Sequence, residues 1–192
     1  MRVSPLSVQP DGFRYEESFL ALPEEAQLLA DLAPLPFRSA PYKEWTAKRR
    51  IVSYGGHYDF GRKELLAAPP IPEFLRPLRV RAAAWGGIAP ERLTHAAISE
   101  YQSGTQLGWH RDVPEFEEVL GVSLLGDARM RFRPYPPEKG QRGVFALDLA
   151  PRSVYLLSGA ARWRWQHAIS PTPGLRYSIT FRSRRAPSAG AS

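Results

Sequence analysis

The chain has 192 residues, 43% of them hydrophobic, which suffices for one domain with a substantial core and includes no run long enough to span a bilayer. It contains no cysteine, so disulfides, thiolate metal sites and cysteine nucleophiles are excluded, and a cytoplasmic home is expected. The formal net charge of +7 rests largely on arginine, whose planar fork suits phosphate, so nucleic acid is a candidate partner beside the plainer reading that the charge serves solubility.

In chain order, residues 1–12 are polar, contain proline and lack the apolar centre of a signal peptide, so a loosely ordered start is expected. Residues 23–32 (PEEAQLLADL) predict a helix, with Pro23 and two glutamates suited to the positive end of the helix dipole. Residues 37–62 are basic and aromatic and predict strands and loops, with Gly55-Gly56 as a turn. Residues 73–85 predict a second helix that stops at Gly86-Gly87, with Pro77 as a break point.

From Leu93 onward, short apolar or alternating runs are separated by Gly, Pro, Asp and Ser. They cover residues 93–101, 119–125, 130–133, 145–149, 153–157, 163–169 and 176–182. Many short strands at such spacing predict a sandwich or barrel. The fold expectation is therefore mainly β (α+β), a jelly roll behind an N-terminal helical extension. With no repeat and no linker, one domain is expected. Residues 13–92 supply the extension, 93–183 the core and 184–192 a flexible tail.

The segment LGWHRD, residues 107–112, places His110 and Asp112 two apart. In extended chain they project to one side, where a ring nitrogen and a carboxylate oxygen can converge on one ion. A second histidine, His167, ends WRWQH. Two histidines and one carboxylate make a facial triad of the kind that holds non-haem Fe(II), although the same ligands admit Mn(II). The plainer alternatives are a surface ion pair and a core histidine. Strand parity in RYSITFR puts Arg176, Ser178, Thr180 and Arg182 on one face and Tyr177, Ile179 and Phe181 on the other. Such a strand is either a solvated surface strand or a barrel strand whose inner face grips a dicarboxylate. Parity likewise puts Trp163, Trp165 and His167 on one side of a single strand.

The ordered combination Tyr101-x-x-Gly104, LGWHRD, VLGVSLLG, ARMRFRP, SVYLLSGAARWRWQHAI and GLRYSITFR closely resembles the AlkB-like dioxygenases, over about residues 49 to 182. The resemblance implies a double-stranded β-helix and a reaction that uses Fe(II), 2-oxoglutarate and O₂. It implies His110, Asp112 and His167 as iron ligands, and Arg176 for the distal carboxylate of 2-oxoglutarate. Arg182 is implied near the chelating end, and Tyr101 as a hydrogen-bonding partner of the cosubstrate. Ser99 and Ser178 stand where family members often carry asparagine; serine is shorter but still donates and accepts.

Acting on an N-methylated base, such an enzyme would release succinate, CO₂ and formaldehyde. In the resembled family the segment before the barrel forms a lid over the nucleotide. Trp45, Arg50, Tyr54, His57 and Tyr58 are accordingly candidate substrate contacts, and Arg111, which flanks the iron motif, is another, each weighed against simple packing or ion pairing. Two other functions stay open: an oxygenase acting on a protein side chain or small metabolite, and a non-catalytic nucleic-acid-binding module. A monomer is the working expectation.

Overall fold

The computed structural model describes residues 9–42, 45–59, 61–62, 64–139 and 144–186. Its elements run β1 (Phe13–Glu16), α1 (Leu22–Leu32), β2 (Arg38–Tyr42), β3 (Trp45–Tyr54), β4 (His57–Asp59), β5 (Glu64–Leu66), α2 (Arg76–Gly86), β6 (Leu93–Tyr101), β7 (Leu107–His110), β8 (Phe116–Leu124), β9 (Ala128–Pro134), β10 (Phe145–Leu149), β11 (Val154–Leu157), α3 (Gly159–Trp163), β12 (Trp165–Ile169) and β13 (Arg176–Arg184). No helix among the described residues is long and apolar enough to cross a membrane.

Both long helices start and stop where local chemistry dictates. Glu24 accepts the Ala21 backbone N–H at 2.7 Å, and Pro23 lies in the first turn of α1, where its missing N–H costs nothing. Pro77 does not break the second helix as expected. A 3-10 turn, Glu73–Leu75, leads into α2, whose first turn takes the proline without loss. Gly87, at φ 71, caps α2 in the left-handed conformation open to glycine, and its N–H returns to the Ala83 and Ala84 carbonyls.

Seven strands form one antiparallel sheet in the order β1-β11-β8-β13-β6-β3-β2, and four form a second in the order β10-β9-β12-β7. Helices α1 and α2 cover the outer side of the larger sheet. Leu28, Leu32, Leu78 and Ala82 there share a buried cluster with Ile98, Leu120, Val122, Ile179 and Phe181. A second cluster, with Phe13, Phe132, Phe145, Leu147 and Leu157, fills the space between the sheets. This is the expected jelly roll. The boundary at residue 93 is less sharp than the sequence suggested, because β1, β2 and β3 pair into the larger sheet, and the strand at the other end reaches Arg184.

Strand parity decides what faces the interior. On β13 the residues Ile179 and Phe181 join the helices, so Arg176, Ser178, Thr180 and Arg182 turn inward, as RYSITFR predicts. Register then sets polar rows across the sheet: Tyr101 opposite Arg176, Ser99 beside Ser178 and Ser178 beside Ser123, and His95 opposite Arg182. Gly121 is in the same inward set. A Cβ there would lie 2.1 Å from the Tyr155 ring, so the tyrosine uses the space that any side chain would take.

A candidate metal centre and its cleft

The smaller sheet delivers the histidines. His167 on β12 pairs with His110 on β7, while Ile169 pairs with Leu107. Two steps on β12 thus match three on β7, which makes a bulge around Gly108 and Trp109. The bulge lets Leu107 and His110 both face the interior. Asp112 follows two residues past the end of β7. The donor atoms of His110, Asp112 and His167 all lie within 4.8 Å of one another, and the two imidazole rings are 4.2 Å apart. His167 Nε2 stands 3.7 Å from Asp112 Oδ2. The Gly108 carbonyl accepts from His110 Nδ1 at 2.9 Å, which leaves Nε2 as the ligand atom.

Protonation favours metal binding. Burial, reinforced by the neighbouring His110, pushes His167 down to about 3, and burial also lowers His110. Both rings are therefore neutral at pH 7 with a lone pair to offer. Burial acting alone would raise the Asp112 carboxyl, but the Arg182 guanidinium and the two histidines outweigh it and hold the group far below its usual range. Arg182 Nε donates to Asp112 Oδ1 at 2.7 Å. Two neutral imidazoles, one ionised carboxylate and three remaining coordination positions suit Fe(II).

A stability consequence follows. The folded His167 value lies below its ordinary 6.5, so between those limits the unfolded chain binds the extra proton. Its contribution is present above 6.5 and is lost as pH falls from there toward about 3, at up to about 1.4 kcal/mol per pH unit. In thermal melts with chelator present, His167→Gln should flatten this acid limb. An unchanged slope in the variant would place the acid sensitivity elsewhere.

Arg176 is 1% exposed. Its Nε donates to Ser123 Oγ at 3.0 Å and its guanidinium lies 5.0 Å from the Tyr101 ring centre, whereas its Nη1 is buried with no partner among the described residues. A buried cationic donor left open fits the carboxylate end of 2-oxoglutarate. Tyr155, close enough to feel the Arg176 charge, is pushed up to about 12 by burial and stays a neutral phenol.

A cleft of 470 Å³ reaches Asp112 and is walled by Tyr58, Arg111, Tyr135, Trp163 and Gln166. Arg111 stacks 3.7 Å above the Tyr135 ring and donates to the Trp163 carbonyl at 2.9 Å. Two predicted substrate contacts lie at this cleft, Tyr58 and Arg111. Two others do not. Arg50 donates through Nε and Nη2 to the Glu100 carboxylate, both at 2.7 Å, so its fork is spent on a partner within the protein. Tyr54 is buried in the cluster under the helices, because its end of β3 pairs with Ala96 on the inner part of the sheet. The side chains of Trp45 and His57 lie outside the described residues.

The strand predicted over residues 163–169 is also corrected. Residues 159–163 form α3, and β12 begins only at Trp165. Helix-favouring alanines at 160 and 161 start the turn, and Trp163 is held by a bond from its Nε1 to Glu117 at 2.9 Å. Trp163 therefore walls the cleft, while Trp165 packs against the cluster between the sheets. Sequence reasoning passed over Ser123, Tyr135 and Arg162. Arg162 is 2% exposed, and its Nη2 donates to the Val113 and Phe116 carbonyls at 2.7 and 2.8 Å, which pins the segment that follows Asp112. The one signal for Ser123 was a lone hydroxyl in the apolar run VLGVSLLG.

The fold and the donor set define an iron- and 2-oxoglutarate-dependent oxygenase, and the comparisons agree. The model of the 2OG-Fe(II) oxygenase superfamily matches residues 33–182. The chain is 31% identical over 175 residues to "Alkylated DNA repair protein ALKBH8 homolog" of Arabidopsis thaliana, covering 79% of this chain and 48% of that protein. It is 24% identical over 167 residues to "tRNA (carboxymethyluridine(34)-5-O)-methyltransferase alkbh8" of Xenopus tropicalis, covering 84% of this chain and 26% of that protein. The chain thus spans about half and a quarter of these relatives' lengths. Among solved structures, OsALKBH1 superposes with a TM-score of 0.74 at 16% identity, over 92% of this chain and 98% of that one. The chain belongs to the 2OG-Fe(II) oxygenase superfamily, as an AlkB-like dioxygenase, and the cofactors of that family are Fe(II), 2-oxoglutarate and O₂.

Proposed function

We propose that this dioxygenase removes N-alkyl groups from bases of nucleic acid, with His110, Asp112 and His167 holding the iron. The observation that carries the reading is the cleft that opens onto Asp112 between aromatic and cationic walls, Tyr58, Tyr135 and Trp163 with Arg111. An aromatic wall stacks on any base, and a guanidinium at the rim meets phosphate. The net charge of +7 suits a polyanion, and the two curated relatives carry names that refer to alkylated DNA and to tRNA. A cytoplasmic location belongs to the same reading.

When bound, Fe(II), 2-oxoglutarate and O₂ supply oxidation of a substrate C–H bond coupled to decarboxylation of 2-oxoglutarate to succinate and CO₂. The protein's part is placement. Arg176 grips the distal carboxylate of the cosubstrate, with Tyr101 and Ser178 beside it in register. Arg182 fixes the Asp112 carboxylate in one rotamer and keeps it ionised. His110 and His167 present neutral rings. The cleft walls would hold the base beside Asp112, and Arg162 pins the loop behind that residue. An N-hydroxymethyl product then falls apart to the free amine and formaldehyde.

The test is succinate and formaldehyde release by protein loaded with iron under anaerobic conditions, then given 2-oxoglutarate, ascorbate and O₂ with N-methylated single-stranded DNA or RNA. Equal amounts of both products are expected with at least one substrate. Succinate at the same rate with and without oligonucleotide, and no formaldehyde, would direct the search to a protein or metabolite substrate.

A further inference from the structure

Gln166 stands directly before His167 on β12 and lines the cleft with Arg111. Its register partner on β9 is Arg133, whose Nε donates to Gln166 Oε1 at 2.7 Å. A guanidinium can only donate, so this bond assigns the two ends of the carboxamide. The oxygen is taken, and the Nε2 amino group is the end left for the cleft. Arg133 is braced in turn, its guanidinium carbon 4.6 Å from the Trp109 ring centre, so the amide is held in one orientation from behind.

The other polar side chains of the cleft are biased the same way. Arg111 and Arg162 are donors with no acceptor to offer. The phenols of Tyr58 and Tyr135 can donate or accept. The one carboxylate among the lining residues is Asp112, which belongs to the metal cluster and receives the Arg182 Nε bond. Glu117 does not line the cleft; it is engaged by Trp163 Nε1 at 2.9 Å and by Arg185 at 3.7 Å.

We propose that Gln166 selects the base: the cleft takes a neutral base whose methylated nitrogen is flanked by a carbonyl, and the Gln166 amino group donates to that carbonyl. N3-methyluracil, N3-methylthymine and N1-methylguanine are bases of this class. The inference rests on the demethylase reading above and adds the kind of base.

Two independent arguments support it. The first is hydrogen-bond polarity. A carbonyl accepts from Gln166 Nε2, whereas the exocyclic amine of an adenine would set donor against donor. The second is charge. N1-methyladenine and N3-methylcytosine are cations at neutral pH, and they would enter beside Arg111 and Arg162 with no spare carboxylate to neutralise them.

The experiment uses two fluorescein-labelled single strands of identical sequence around a central N3-methyluracil or N1-methyladenine. Formaldehyde release gives kcat/KM for each. Anisotropy gives the affinity of each for protein loaded with Mn(II) and 2-oxoglutarate and kept free of O₂. The wild type should favour N3-methyluracil by about tenfold or more in both readouts, the discrimination expected where a buried donor meets either its acceptor or another donor. Gln166→Glu keeps one oxygen for Arg133 and turns a charged acceptor to the cleft, so it should cut that preference by about tenfold or more. If Gln166→Glu melts lower than the wild type, Gln166→Met, which presents neither donor nor acceptor, carries the comparison and should also narrow the preference.

A wild type that favours N1-methyladenine would overturn the selection while leaving the demethylase reading intact. A preference for N3-methyluracil that is unchanged in the folded variants would also overturn it, by assigning the choice to other residues. Wild-type protein that neither binds nor demethylates either strand would remove both proposals together.

Discussion

Replacing Arg176 with methionine should raise KM for 2-oxoglutarate by about 30-fold or more, the range expected when a buried charged donor loses its hydrogen-bonded partner. The side chain is nearly sealed from water, and its Nη1 is satisfied by nothing in the described protein. A desolvated cation with an open donor is costly on its own, and replacing such an ion with a well-packed apolar side chain is often neutral or stabilising. Two readouts should therefore move in opposite senses. Without cosubstrate, Arg176→Met should melt no lower than the wild type; with saturating 2-oxoglutarate, the wild type should gain thermal stability and the variant should not. A structural arginine would do the reverse, lowering the melting temperature and sparing KM. Unaltered KM in a folded variant would remove Arg176 from the cosubstrate site.

The larger effect is expected at the triad. His167→Ala and Asp112→Asn should each lower succinate production by more than about 100-fold, because no other described His, Asp or Glu joins the cluster. Asparagine is chosen at 112 because alanine would strand Arg182, whose Nε bond to the carboxylate spans the sheets. Asp112→Ala should therefore combine lost activity with a loss of stability that Asp112→Asn does not share. Bound iron, counted by metal analysis after anaerobic loading and desalting, should fall in step with succinate. Full iron occupancy with normal turnover in His167→Ala would sink the assignment.

The site was legible in the sequence where its chemistry follows strand parity. RYSITFR has period two, and the observed strand obeys it: Arg176 and Arg182 point inward, Ile179 and Phe181 outward. His110 and Asp112 converge as their spacing suggested. Contacts that depend on distant partners were not legible. Nothing near Arg50 announces Glu100, fifty residues on, which takes its fork. Tyr54 looked like its neighbour Tyr58, yet one is buried under the helices and the other lines the cleft, a difference set by where β3 leaves the sheet. Trp163 and Trp165 share a parity but not an element, because parity holds only within a strand and α3 ends between them. The bulge at Gly108 and Trp109 was equally hidden, since it is defined by register with β12 and not by any local motif.

The larger sheet orders its strands β1-β11-β8-β13-β6-β3-β2, so its middle position belongs to β13, which comes last in sequence. On a ribosome, β6 and β8 emerge long before the strand that joins them, and until residues 176–184 are free the sheet exists only as two unzipped halves. Closure is then a long-range event, of the kind that makes β topologies slow to form. The same strand carries Arg176 and Arg182. A nascent chain that has not yet released this strand would carry both histidines and the aspartate of the proposed iron site and lack both arginines of the proposed cosubstrate site. By this topology, closing the sheet and completing the proposed cosubstrate site are a single event.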